Sequence, residues 1–201
     1  MAVALIDYGA GNLRSAAKAL EAAGASDVTV TADPATVLAA DRIVLPGVGA
    51  FGACAAALRA IPDMEEALNE AVRTRARPFL GICVGMQLMA AEGHEFGVHK
   101  GLGWVPGAVR RMAPEGLKIP QIGWNEVAPT SAGLIEPGWA YFVHSYALQA
   151  DNPADLAATA VYGAEITAAV QRDTMLGVQF HPEKSQSYGL SLLARWLAWK
   201  P

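Results

Sequence analysis

The first ninety residues alternate short apolar runs rich in Val, Ile and Leu with longer stretches of helical periodicity, and this alternation constrains the fold more than any other feature. Strands buried on both faces read as continuous apolar runs, and parallel neighbours need a crossover helix between them. The sequence therefore predicts an α/β fold with a largely parallel central sheet flanked by helices. Strands are expected at 3–6, 28–30, 43–45 and 79–82. Asn12 is a suitable N-cap for a helix carrying Leu13, Ala16, Ala17 and Leu20 on one face until Gly24 ends it. A short helix after Pro34, an Ala-rich helix through Leu58 and a helix opened by Asp63 and ending near Arg75 follow. The stretch 46–52 is too glycine-rich to be a regular element and is expected to be a loop.

Beyond Gly93 the texture changes. Gly101, Gly103, Pro106, Gly107, Pro114, Gly116 and Pro120 punctuate short β-like segments, which predicts loops and additional antiparallel strands laid against the first half. Later strands are expected at 139–143, 157–161, 167–170 and 175–180, with a closing helix over 191–199. There is no repeat, low-complexity linker or composition break, so residues 1–201 are read as one domain.

Composition narrows the function classes. With 15 Lys and Arg against 19 Asp and Glu, the net charge of −4 argues against the basic surface that a phosphate backbone demands. No apolar run approaches the roughly 18 residues needed to span a bilayer, and Met1 leads into Val3-Ala4-Leu5-Ile6 without a basic leader, so a cytoplasmic protein is expected. Two cysteines allow one bridge at most, and 53% apolar residues supply a core that does not need it.

Three segments can carry chemistry. Gly81-Ile82-Cys83-Val84-Gly85 is a G-x-C-x-G sequence between an apolar strand and an expected helix beginning at Met86-Gln87-Leu88-Met89. A sharp strand-to-helix turn would expose the Cys83 sulfur at a helix N-terminus and leave the Val84 N–H to meet a developing oxyanion. A buried Cys packed at a βα junction satisfies the same pentapeptide. The second segment is Phe180-His181-Pro182-Glu183. Two-residue spacing in an extended segment turns both side chains the same way, so Glu183 can orient and charge-stabilise the His181 ring. By itself the segment reads first as a solvated strand end. With Cys83 it makes a nucleophile, a base and an orienting carboxylate on strand ends of one sheet. The third is Pro46-Gly47-Val48-Gly49, whose backbone can turn the N–H of Val48 or Gly49 into such a site, or serve as a plain βα turn; it fits neither phosphate-binding glycine pattern. Cys54, among alanines, reads as a small core residue, and His94 and His99 as solvated loop residues, with His144 left open.

These segments together resemble the class I (triad) glutamine amidotransferases, and the likeness runs from the first strand to the last helix. The Pro-Gly-Val-Gly form of the loop, Asp7-Tyr8-Gly9-Ala10-Gly11-Asn12 and Gly123-Trp124-Asn125 resemble the branch serving histidine biosynthesis. The resemblance implies that Cys83 attacks the glutamine side-chain amide to form a thioester, that His181 shuttles the proton, and that Glu183 holds His181. It places the oxyanion hole at Val84 with Val48 or Gly49, and glutamine on Gln87, Glu95, Ser145 and Tyr146. Ser145 stands where the family commonly has Thr, which keeps the hydroxyl. It further implies a cyclase subunit, a (β/α)₈ barrel, as heterodimer partner receiving ammonia, with Asn12, Trp124, Tyr141 and Lys184 at that interface; a core position is the competing reading for Trp124. No cofactor or metal is expected. Amidotransferases serving pyridoxal phosphate or anthranilate synthesis, and a non-catalytic regulatory module on the same scaffold, are the alternatives.

Overall fold

Five parallel strands form one side of a nine-stranded sheet in the computed structural model, which describes residues 1–201. In chain order they are β1 (Ala2–Ile6), β2 (Asp27–Thr31), β3 (Arg42–Gly47), β4 (Phe79–Cys83) and β13 (Met175–Val178), arranged β2-β1-β3-β4-β13. Every residue of β3, β4 and β13 is buried, which is why these strands read as unbroken apolar runs. The sheet continues antiparallel through β12 (Ala164–Arg172), β11 (Leu156–Tyr162), β8 (Gln121–Pro129) and β9 (Gly138–His144). A second, four-stranded sheet runs β10 (Tyr146–Ala150), β7 (Val105–Arg111), β5 (Ala90–Gly93) and β6 (His99–Lys100). The expected α/β architecture with added antiparallel strands is thus what the chain adopts.

Helix α1 (Leu13–Ala22) starts where Asn12 Oδ1 accepts from the Ser15 N–H at 3.3 Å, and α2 (Pro34–Ala39) where Asp33 accepts from Ala35 and Thr36. Helices α3 (Phe51–Arg59) and α4 (Met64–Asn69) follow, and a π-helical turn at Glu70–Thr74 extends α4 to the expected end. Asp63 precedes α4 in a left-handed conformation and makes no side-chain cap. No helix is long and apolar enough to cross a membrane.

Four expectations need correction. Pro46 and Gly47 belong to β3, paired in register with Ile82 and Cys83, so only residues 48–50 lie between β3 and α3. The helix expected at 86–89 is a single turn, α5 (Val84–Gln87). It stops because the carbonyls of Leu88 and Met89 accept from the N–H groups of Leu102, Trp104 and Val105 and are not free to continue a helical ladder. The strand expected over 175–180 ends at Val178. The last helix, α6 (Gln186–Ala198), begins five residues before the expected start at 191.

Candidate active site

Cys83 closes β4 and precedes α5 with φ 54° and ψ −112°, a conformation that L-residues avoid unless their surroundings enforce it. The enforcement is backbone meeting backbone. A Cβ on Gly85 would stand 1.8 Å from the Leu45 carbonyl oxygen, and one on Gly81 would stand 2.7 Å from that of Gly85. The elbow expected from G-x-C-x-G is therefore present, but the helix that follows is a single turn and brings little dipole to the sulfur.

His181 arrives from the neighbouring strand β13, which pairs with β4 up to Val178↔Ile82. The segment is pinned to β9: the His181 N–H donates to the Tyr141 carbonyl at 2.9 Å, and the Ser185 hydroxyl donates to the His181 carbonyl at 2.7 Å while accepting from the Tyr141 N–H at 2.9 Å. Glu183 does not share an extended strand with His181, as the spacing argument assumed. It sits in a 3₁₀ turn, Pro182–Lys184, which swings its carboxylate back until Oε1 lies 2.8 Å from His181 Nδ1. Both side chains are only 4% exposed, and Glu183 Oε2 is buried without a partner. Burial pulls the His181 pKa down, but hydrogen bonds to Cys83 and Glu183 and the charges on both outweigh it, carrying it up to about 9. The imidazole is thus a cation at neutral pH.

Cys83 and His181 open into a cavity of about 260 Å³ that is also lined by Val48, Gly49, Val84, Gln87, Glu95, Ser145 and Tyr146. Every residue assigned by resemblance to the oxyanion hole or to glutamine thus meets in one cleft, with Glu183 behind His181. Gln87 uses its amide nitrogen on the Tyr146 carbonyl (2.9 Å) and on Gln179 Oε1 (3.0 Å), so its own Oε1 is the atom left for a ligand. An acceptor suits an ammonium group and not a carboxylate. Glu95 accepts from the Phe51 N–H through Oε2 at 2.7 Å, capping α3, and keeps its other oxygen. The loop beside them is anchored from behind: the Tyr8 hydroxyl donates to the Pro46 carbonyl at 2.7 Å and the Cys54 thiol to the Val48 carbonyl at 3.4 Å. With the Val48 carbonyl turned to Cys54, the Gly49 N–H lies on the opposite edge of that trans peptide.

Of the four residues assigned to an interface, Lys184 lines the cleft, Asn12 caps α1 at the surface, and Trp124 packs edge-on against its cross-strand neighbour Tyr141, ring centroids 5.9 Å apart. Trp124 is 44% exposed, which removes the core reading. His94 is not simply solvated; it pairs with Glu92 at 2.7 Å, and His99 is half-buried in β6 against Gly52. His144 is buried beside the cleft and its pKa falls to about 4 by desolvation, so it is neutral and donates from Nδ1 to the Tyr146 carbonyl. Cys54 is buried, which pushes its thiol pKa up, and neither cysteine is bridged. Sequence reasoning missed Tyr8 and Gln179. Gln179 carried one visible signal, a polar side chain inside the apolar run Leu176-Gly177-Val178-Gln179-Phe180.

Residues 4–198 match the family model described as glutamine amidotransferase class-I, the class that this elbow and sheet define. Solved structures agree on the fold: a glutamine amidotransferase crystal structure superposes with TM-score 0.78 at 18% identity, covering 98% of each chain, and PurLQS from Thermotoga maritima with TM-score 0.74 at 18% identity, covering 98% and 97%. Among curated relatives, the imidazole glycerol phosphate synthase subunit HisH of Zymomonas mobilis is 57% identical, over 99% of this chain and 96% of that protein. The HisH proteins of Brucella suis and Rhodospirillum rubrum are each 54% identical over the full length of both chains. The chain belongs to the class-I glutamine amidotransferases and, within them, to the HisH family.

Proposed function

We propose that this chain is the glutaminase subunit of imidazole glycerol phosphate synthase, hydrolysing glutamine to glutamate and ammonia through Cys83, His181 and Glu183. The observation that carries the reading is the junction of Cys83 in its strained elbow with a charged His181 held by Glu183, at one cleft. The Cys83 sulfur attacks the side-chain amide carbon, and the oxyanion is met by the Val84 N–H, first in its helical turn, together with Gly49 or Val48. His181 gives its proton to the departing nitrogen, leaving ammonia and a thioester. Water then adds to the thioester, His181 takes its proton, and glutamate leaves as the sulfur is released. Gln87 Oε1 and Glu95 receive the α-ammonium, while Ser145 and Tyr146 hold the opposite end.

Ammonia freed into water near neutral pH is protonated and lost as a nucleophile, so the product is best passed through a closed route to a synthase. We assign that role to the cyclase HisF as heterodimer partner, forming imidazole glycerol phosphate and aminoimidazole ribotide in histidine biosynthesis. The net negative charge of this chain does not oppose a nucleotide substrate, because that substrate binds the partner. The reading treats 1–201 as one domain acting in the cytoplasm. HisH relatives at 54–57% identity favour it over a pyridoxal phosphate or anthranilate amidotransferase, and the assembled cleft favours it over a non-catalytic module. Cys83→Ala, assayed with the cyclase, should abolish glutamine-dependent synthesis and leave synthesis from added ammonium salt. Glutamine hydrolysis surviving in that variant overturns the assignment.

A further inference from the structure

Gln179 is wholly buried, a primary amide among apolar neighbours on the way from β13 to His181. Such a group is costly to bury unless both ends find partners. Its Oε1 accepts from Gln87 Nε2 at 3.0 Å, and its Nε2 lies 3.6 Å from Cys83 Sγ, within reach of an N–H···S bond. The orientation follows from the chain of partners. The Tyr146 carbonyl can only accept, so Gln87 must present its NH₂ there, and the same nitrogen faces Gln179. Gln179 must then offer its oxygen to Gln87, which leaves its NH₂ for the sulfur.

We propose that Gln179 is a positioning residue for the glutaminase reaction, whose amide N–H holds the Cys83 sulfur in its attacking rotamer and stabilises the negative charge it carries. The proposal rests on the assignment of Cys83 as nucleophile. The charge on sulfur is largest just before attack and again as the thioester breaks, so the bond serves both half-reactions. An amide is neither acid nor base at working pH, so it supports the sulfur without competing for the proton that His181 moves. The same side chain ties the glutamine-binding Gln87 to the sulfur through one rigid bridge.

The test uses the chain with its cyclase partner. Gln179→Leu removes both hydrogen bonds at similar volume, and Gln179→Met does so with a longer side chain should Leu impair folding. A hydrogen bond to a charged group accounts for about a 10- to 100-fold change. The expected result is kcat for glutamine reduced about 10- to 100-fold, KM changed less than about twofold, and slower alkylation of Cys83 by iodoacetamide at pH 7, read on its own peptide by mass spectrometry. A raised KM with kcat and alkylation unchanged would show that Gln179 serves only Gln87, and no change in any of the three would reduce it to packing; either overturns the proposal. Cys83→Ala measured alongside separates the layers: if it still hydrolyses glutamine, the nucleophile assignment fails and the proposal with it.

Discussion

The parallel and antiparallel halves of the large sheet are built under different rules. In the parallel half, β3, β4 and β13 are covered on both faces, and the turn of α5 approaches β3 and β4 so closely that glycine is the only residue that fits at 81 and 85. In the antiparallel half, β8 alternates between covered and open positions, and Ile122, Trp124 and Trp139 stay exposed at 62%, 44% and 58%. The end of the locked half is where Cys83 and His181 share one cleft and the Glu183 carboxylate meets the His181 ring. A face left open suits recognition of another chain.

If locking comes from backbone approach, the largest effect on the protein should follow from a single methyl at the elbow. Gly85→Ala sets a Cβ against the Leu45 carbonyl, which β3 cannot yield without breaking its ladder to β4. A loss of roughly 3–5 kcal/mol of stability is expected from a clash of this kind, measured by the denaturant midpoint. A loss under about 1 kcal/mol would mean that the elbow gives way and that the contrast between the halves is not one of rigidity.

Charge at the same locus should be the next largest effect. Glu183→Gln keeps the shape but removes a counter-charge of His181, and a fall in kcat of about 100-fold, or roughly 3 kcal/mol, is expected from a misheld imidazole. The folded pKa of His181 is raised, to about 9 from 6.5. Its contribution to stability is therefore complete below pH 6.5 and is lost as pH climbs through about 9. Thermal midpoints of the parent should fall across that window, and those of Glu183→Gln should fall less; parallel curves for the two proteins would contradict the ion pair.

How much of this was legible in the sequence follows the same division. The parallel strands were readable within a residue or two, and for β3, β4 and β13 this is because burial on both faces writes itself as an apolar run. The meeting of Cys83, His181 and Glu183 was legible because each had a motif around it at the end of a strand of one sheet. By contrast, β8 in the antiparallel half, and β5, β6, β7 and β10 of the second sheet, were not placed. Their short, half-open strands carry weak patterns, and their ends are decided by partners: Leu88 and Met89 leave the helical path because residues 102–105 take their carbonyls. The contacts of Tyr8 and Gln179 were invisible for a related reason, although the polar Gln179 stands out in its apolar run. Their hydrogen bonds reach Pro46 and Cys83 across 38 and 96 residues, and no local spacing encodes such an approach.

The open face supplies the smallest predicted effect and the sharpest test of the comparison. Register places Trp124 opposite Tyr141, Ile122 opposite Val143 and Trp139 opposite Glu126, so three large apolar side chains emerge on one side of β8 and β9. Because Trp124 is 44% exposed, Trp124→Ala should change folding stability by about 1 kcal/mol or less. An aromatic anchor at a protein interface is worth more: affinity for the proposed cyclase partner should drop about 10- to 100-fold, or roughly 1.4–2.8 kcal/mol, read by titration calorimetry. The reverse pattern, with several kcal/mol lost from folding and binding untouched, would make Trp124 a structural residue and the antiparallel half as locked as the parallel one. Loss of affinity without loss of stability can arise only if that surface is left open for another molecule.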